Sequence, residues 1–201
     1  MPNVSSAARQ RLLLAAAAAE YKSTRQARRK CFLSYHANDV SEVADFIETF
    51  DEVFIPKVIG VNDSDPFVDS ENTDYVLDKI REKYLTGSTV TIVLVGKCTW
   101  ARKYVDWEVY SSLRNDKSNR RNGLIAIELP SRGTGSLPPR VDDNVIRDKN
   151  GVDLGYARYY VYPSSDSTLR GWIEDAFTAR TSRPNQIVNA RARKVNNSPC
   201  A

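Results

Sequence analysis

The chain has 201 residues, 41% hydrophobic and 27% charged, with a formal net charge of +4, which fits one globular domain of ordinary core size with extra segments at its ends. No apolar run approaches the roughly 20 residues needed to cross a bilayer, so a transmembrane helix is excluded. One histidine, His36, rules out a histidine-rich zinc site within one chain, and three cysteines, Cys31, Cys98 and Cys200, lack metal-ligand spacing and read as free thiols of a reducing, cytoplasmic setting.

Residues 5–29 contain RLLLAAAAAEY, a strong helix-forming run flanked by arginines. Arg9 and Arg11 ahead of an apolar stretch also fit a signal peptide, but the stretch is mostly alanine and weakly hydrophobic. An extra N-terminal helix is the favoured reading, with Leu12, Leu13 and Leu14 packing on the domain or on a partner chain. Basic residues gather at both ends, Arg25, Arg28, Arg29 and Lys30 before the domain and Arg191, Arg193 and Lys194 after it. Without a groove-reading motif or interleaved aromatics, these read as solvated tails rather than a nucleic-acid surface.

Cys31, Phe32 and Leu33 predict a first strand, followed by a turn through Ser34, Tyr35, His36, Ala37 and Asn38. Asp39, with Glu42 three residues on, has the spacing of a capping box, and Val40, Val43, Ala44, Ile47 and Phe50 form the apolar stripe of a helix. Residues 54–61 read as a second strand, placed at a sheet edge by Pro56. An acidic, turn-rich loop follows at 62–72, then a helix over 73–85 with Val76, Leu77, Ile80 and Tyr84 on its stripe, ended by Gly87.

The stretch 89–113, TVTIVLVGKCTWARKYVDWEVYSSL, organises the rest. Its apolar, β-branched run reads as a strand covered on both faces, ended by Gly96. The following helix sends Val105, Val109, Ser112 and Leu113 to the core, and Glu108 lies about 80° from the centre of that face, one turn after Tyr104, on a half-covered seam. Trp107 and Tyr110 fall on the outer side.

Beyond a polar loop at 115–122, residues 124–129 form a strand stopped by Pro130. Residues 131–155 are irregular, with a short helical turn near Val145. A last strand spans 158–162, and Ser167 caps a helix carrying Leu169, Trp172, Ile173, Ala176 and Phe177. Pro184 and a polar tail end the fold. The order βαβαβαβ(loop)βα implies an α/β doubly wound, five-stranded parallel sheet of flavodoxin-like order 2-1-3-4-5. The resulting organisation is an N-terminal helical extension at 1–29, a domain at 30–180 and a basic tail at 181–201. Ligands of such sheets bind where strands one and three diverge, which brings SYHAND opposite the Glu108 helix.

Taken together, FLSYHAND after a basic lead-in, the strand TVTIVLVG and the helix TWARKYVDWEVYSSL resemble a Toll/interleukin-1 receptor (TIR) domain. More narrowly, they resemble the TIR-like branch that includes the signalling proteins of bacterial Thoeris anti-phage systems. The resemblance covers about residues 30–180. It implies the flavodoxin-like fold, cleavage of the nicotinamide–ribose bond of NAD, and an ADP-ribose-derived messenger, linear, cyclic or conjugated, acting on a downstream effector. NAD is then substrate rather than cofactor, and homo-oligomeric assembly is expected.

By motif position the resemblance makes Glu108 catalytic, a role that a partly buried glutamate on a helix seam would not receive on its pattern alone. It places Ser34, Tyr35, His36, Asp39, Trp100 and Tyr104 at the substrate, with the aromatics walling the nicotinamide ribose and Lys97, Arg102 or His36 facing the pyrophosphate. Bond cleavage builds oxocarbenium character that a carboxylate can stabilise, and a leaving nicotinamide needs little acid help. On plainer readings, His36 is a loop residue bonding its neighbours and Asp39 a helix cap. The loop at 62–72 stands where the family's BB loop does but lacks its Arg-Asp and Pro-Gly signatures, and Tyr104 stands where many enzymatic members carry tryptophan. Two alternatives remain: a non-catalytic TIR assembly module using the long loop and the outer aromatics, and a flavin or phospho-receiver protein. Against the receiver, no paired acids follow strand one.

Overall fold

The computed structural model describes residues 6–22, 27–58, 75, 79, 81–115 and 120–200. Five strands pair in parallel in the order β2-β1-β3-β4-β5. These are β1 (Arg29–Ser34), β2 (Phe54–Val58), β3 (Val90–Val95), β4 (Gly123–Glu128) and β5 (Arg158–Tyr160). This is the flavodoxin-like arrangement expected from the alternation of elements, with the proline-bearing β2 at one edge. All six residues of β3 are buried, because the strand lies centrally and is covered on both faces.

Side chains alternate across the sheet with period two. Ile92 and Leu94 join Ile125 and Ile127 in one core, while Val93 and Val95 join Leu124 and Ala126 in the other. The first core is closed by α1 (Ser6–Tyr21), α2 (Val40–Thr49) and α5 (Asp166–Ser182), through Leu12, Phe46, Ile47 and Ile173. The second is closed by α3 (Lys103–Leu113), through Val105, Val109 and Leu113, and by the short α4 (Pro139–Asp142), through Val141. Pro139 occupies the first turn of α4, where its missing N–H costs nothing. The helical turn expected near Val145 therefore forms a few residues earlier.

The N-terminal helix packs along α2 and β2. Leu12 is buried and Leu13 partly buried, but Leu14 is exposed, since three consecutive positions cannot share one helical face. Arg28 closes its C-terminal end by donating to the carbonyls of Ala19 (2.6 Å) and Lys22 (2.5 Å), which an α-helix leaves unpaired. Arg11 reaches Asp45 and Glu48 on α2.

Several local expectations are corrected. Asp39 does not cap α2 with its side chain. It belongs to a 3-10 turn, Ala37–Asp39, and lacks the extended backbone of a capping residue, while Glu42 instead accepts from the Ser131 N–H. Ser165 rather than Ser167 caps α5, accepting from the Thr168 N–H at 3.3 Å. The fifth strand stops at Tyr160, two residues earlier than expected, as Val161 is exposed and Tyr162 packs edge-on to Phe46. Residues 59–61 of the expected second strand, the loop at 62–72 and most of the helix expected over 73–85 lie outside the described residues. The end of that helix, Arg81–Leu85, is a π-helical turn.

The largest departure concerns the C-terminal segment. Residues 187–200, read from sequence as a solvated basic tail, run as a strap along the outer side of α3. Arg140, fully buried, pairs with Asp106 of α3 (2.9 and 3.2 Å) and donates to the carbonyls of Asn189, Arg191 and Ala192. The Lys194 N–H donates to Asp106 (2.9 Å), and Trp107 Nε1 donates to the Lys194 carbonyl (2.8 Å). Trp107, expected on the outside, is thus only 4% exposed. Cys98 and Cys200, expected as free thiols, are joined in a disulfide across a separation of 102 residues. Cys31 is free and buried.

Two glycines test this packing. A Cβ at Gly123 would stand 1.9 Å from the Ala176 carbonyl oxygen, whereas one at Gly171 within α5 would meet nothing within 4 Å. Gly123→Ala should therefore lower stability by about 2–4 kcal/mol through displacement of α5 from β4. Gly171→Ala should raise it by about 0.5–1 kcal/mol, the helix-propensity difference. Urea unfolding of both variants checks the pair.

Candidate functional site

Parallel pairing of β1 with β3 sets Ser34 opposite Val93. This places the ends of both strands side by side, and the chain leaves them in two loops that face each other. The first carries Tyr35, His36 and Asp39; the second carries Gly96, Thr99 and Trp100 and leads into α3.

Glu108 points from α3 into this junction. Ser34 Oγ donates to its Oε2 at 2.5 Å, and the two side chains are 0% and 9% exposed, so the seam is more completely closed than the sequence pattern implies. The helix is pinned one turn later, where Ser112 Oγ donates to the Glu108 carbonyl (2.8 Å) and accepts from Thr91 Oγ1 on β3 (2.7 Å). Burial dominates the carboxyl's electrostatics and pushes its pKa up to about 8, with the Ser34 bond opposing.

The two loops touch through Asp39. Its carboxyl fills the space over Gly96, where a Cβ would lie 2.2 Å from Oδ2, so any larger residue just after β3 would displace the Asp39 carboxyl. Thr99 Oγ1 accepts from the Gly96 N–H (2.9 Å) and approaches Asp39 Oδ2 (3.4 Å). Burial, aided by Glu42, raises the Asp39 pKa to about 6. His36 Nδ1 accepts from the Asn38 N–H at 3.2 Å, and burial followed by the Arg102 charge lowers its pKa to about 4. At neutral pH the ring is uncharged. Tyr35 is half-buried, and its hydroxyl is pushed above the usual phenol range by burial and then by the Glu108 charge.

The remaining two expected site residues meet other parts of the chain. The Tyr104 ring packs edge-on against Trp107 at 5.2 Å with the Lys103 ammonium 5.1 Å from its centre. Trp100 has the Lys194 ammonium of the strap 5.9 Å away. The structure thus joins Ser34 to Glu108 and Asp39 to the Gly96–Thr99 turn, while Trp100 and Tyr104 lie toward the strap side of α3. Among the described residues no group of three or more His, Cys, Asp or Glu side chains is arranged to hold a metal ion, and no helix is long and apolar enough to cross a membrane.

Thr99 and Arg140 were not anticipated from sequence. A threonine directly after Cys98, at the start of a short turn, has no chemical signature of its own, and Arg140 sits in a Pro- and Gly-rich segment without periodicity.

Comparison with protein families finds that the model of the Thoeris protein ThsB, TIR-like domain, matches residues 32–134, about half of the 201-residue chain. The matched segment contains both facing loops and α3, and leaves α1 and the strap outside it. No match was found among curated proteins.

A carboxyl whose pKa rises from 4.5 unfolded to about 8 folded binds its proton more tightly in the native state. Its contribution to stability is complete below the unfolded pKa and is lost as pH rises toward 8. Glu108→Gln removes that loss. Melting temperatures measured from pH 5 to pH 8.5 should show the variant gaining on the wild type with rising pH by several degrees, since ~1 kcal/mol shifts Tm by about 2–4 °C in a chain of this size. A constant gap would contradict the assignment.

Proposed function

Because this chain belongs to the family of Thoeris ThsB TIR-like domains, whose setting is anti-phage signalling, we propose that it cleaves the nicotinamide–ribose bond of NAD with Glu108 as the catalytic residue. The observation that carries this reading is the buried Glu108 carboxyl bonded to Ser34 where β1 and β3 diverge. Such a carboxyl is costly to the fold and suited to a developing cation.

NAD presents a cationic N-ribosyl pyridinium. A positive charge within about 4–6 Å favours the ionised carboxylate, so substrate binding itself discharges the Glu108 proton. As the bond to nicotinamide lengthens, positive charge moves onto the ribose, and the carboxylate stabilises it in a site already stripped of water. Nicotinamide departs neutral and needs no acid. Ser34 holds the carboxylate in place, Tyr35 walls the ribose, and Asp39 and the uncharged His36 line the approach, with Trp100 and Tyr104 at its outer margin. The product is an ADP-ribose-derived messenger, hydrolysed, cyclised or conjugated according to which nucleophile reaches the ribose carbon. A downstream effector reads it, and copies of the chain assemble to act.

The competing reading, a non-catalytic assembly module, relies on the loop at 62–72 and on Trp107 and Tyr110 as outer aromatics. Both lie under the chain's own strap, Trp107 bonded to Lys194 and Tyr110 beneath the Arg193 guanidinium at 5.5 Å. That leaves the module without its aromatic surface.

Incubating purified protein with NAD and following nicotinamide by chromatography tests the proposal. Wild type should release nicotinamide, and Glu108→Gln should lose about 10²–10³-fold in rate, the cost of removing one preorganised electrostatic group. Equal release from the two proteins would sink it.

A further inference from the structure

We propose that the bond between Cys98 and Cys200 is a redox-opened clasp that fastens the outer half of the C-terminal strap onto the loop that follows β3. The strap has two unequal anchorages. Its inner half is locked by buried chemistry: Arg140 holds the carbonyls of Asn189, Arg191 and Ala192, and Asn144 exchanges hydrogen bonds with the main chain of Val188. Those contacts do not involve a cysteine.

The outer half is held lightly. Asn197 Oδ1 accepts from the Lys103 N–H (2.8 Å) and the Ser198 N–H donates to the Ala101 carbonyl (2.8 Å). Val195 is 78% exposed. Together with the Lys194 ammonium donating to Ser198 Oγ within the strap (2.9 Å), these few polar contacts give little net hold on six residues of chain. The covalent link at Cys200 decides whether these residues stay in place.

On the other side of the link, Cys98 immediately precedes Thr99, the residue that bonds Gly96 and meets Asp39 across the loops. The clasp therefore ends on the turn that meets Asp39 across the two facing loops. Both sulfur-bearing residues are partly exposed, so a small dithiol can reach them. Cys31 is fully buried in the first core, and its thiol is held above the ordinary range by burial, which keeps it out of exchange.

Opening follows ordinary thiol–disulfide exchange. A thiolate of a dithiol reductant attacks one sulfur of the pair, forming a mixed disulfide and expelling the other sulfur as a thiol. The second thiol of the reductant then displaces the first cysteine. The reductant becomes a disulfide, and two electrons and two protons arrive as thiols on Cys98 and Cys200. No strand pairing or core contact is broken, so the strap peels from 195–200 inward and stops at the Arg140 anchorage. This inference is independent of NAD cleavage.

Hydrogen exchange followed by mass spectrometry on the full chain tests it, comparing air-oxidised protein, dithiothreitol-treated protein and Cys200→Ser. Reduction and the variant should each speed exchange about tenfold or more at 97–103 and 195–200, the signature of local rather than global opening, with 105–113 and 187–193 unchanged. Thiol alkylation after denaturation should find one reactive cysteine in oxidised protein and three after reduction. Three thiols in air-oxidised protein would overturn the proposal, as would identical exchange in both redox states or loss of protection throughout α3. Chemically reduced wild type supplies the comparison should the variant not fold.

Discussion

The hydrogen bond from Ser34 to Glu108 depends on most of the molecule being as it is. The two residues lie 74 positions apart. They meet because β1 pairs with β3 in parallel, because Gly96 lets the second loop close against Asp39, and because Ser112 and Thr91 fix the turn of α3 that carries the carboxyl. Each of these is a packing fact with a physical cause, and together they leave a carboxyl in a place from which water is excluded.

Two acids two positions apart on the same helix receive opposite treatment. Asp106 is met by a buried guanidinium in bidentate geometry and by a main-chain N–H, which compensates the cost of desolvating its charge. For Glu108, the bond recorded among the described residues is a single neutral hydroxyl. The first arrangement secures structure: it ties α3, α4 and the strap into one unit. The second leaves an acid whose ionisation burial opposes. The fold thus satisfies one buried carboxylate fully and leaves its neighbour with one neutral hydroxyl, the contrast on which the proposed role of Glu108 rests.

Most of this architecture was legible in the sequence. The unbroken apolar run of β3, the stripes of α2 and α3, and the alternation of elements were enough for the strand order, and the strand order was enough to bring SYHAND to Glu108. The remainder depends on contacts between distant, aperiodic segments. Arg140 sits among prolines and glycines, the strap has no hydrophobic period, and a disulfide spanning 102 residues leaves no local spacing to read. Trp107 lies on the outer face of α3, as its spacing implies, yet that face is covered by a segment whose composition resembles a solvated tail. Caps failed for a different reason: Ser165 and Ser167 carry the same acceptor, and the φ and ψ that choose between them are set by the chain entering from β5.

The pH dependence of kcat/KM for NAD cleavage tests most directly whether the carboxyl buried in the fold is the one that acts, because that quantity reports ionisation in the free protein. If Glu108 must lose its proton to stabilise the ribosyl cation, kcat/KM rises with pH through a midpoint near 8, where burial holds this group. A rising limb in the ordinary glutamate range, around 4–5, or a profile without a limb, would separate the chemistry from this residue.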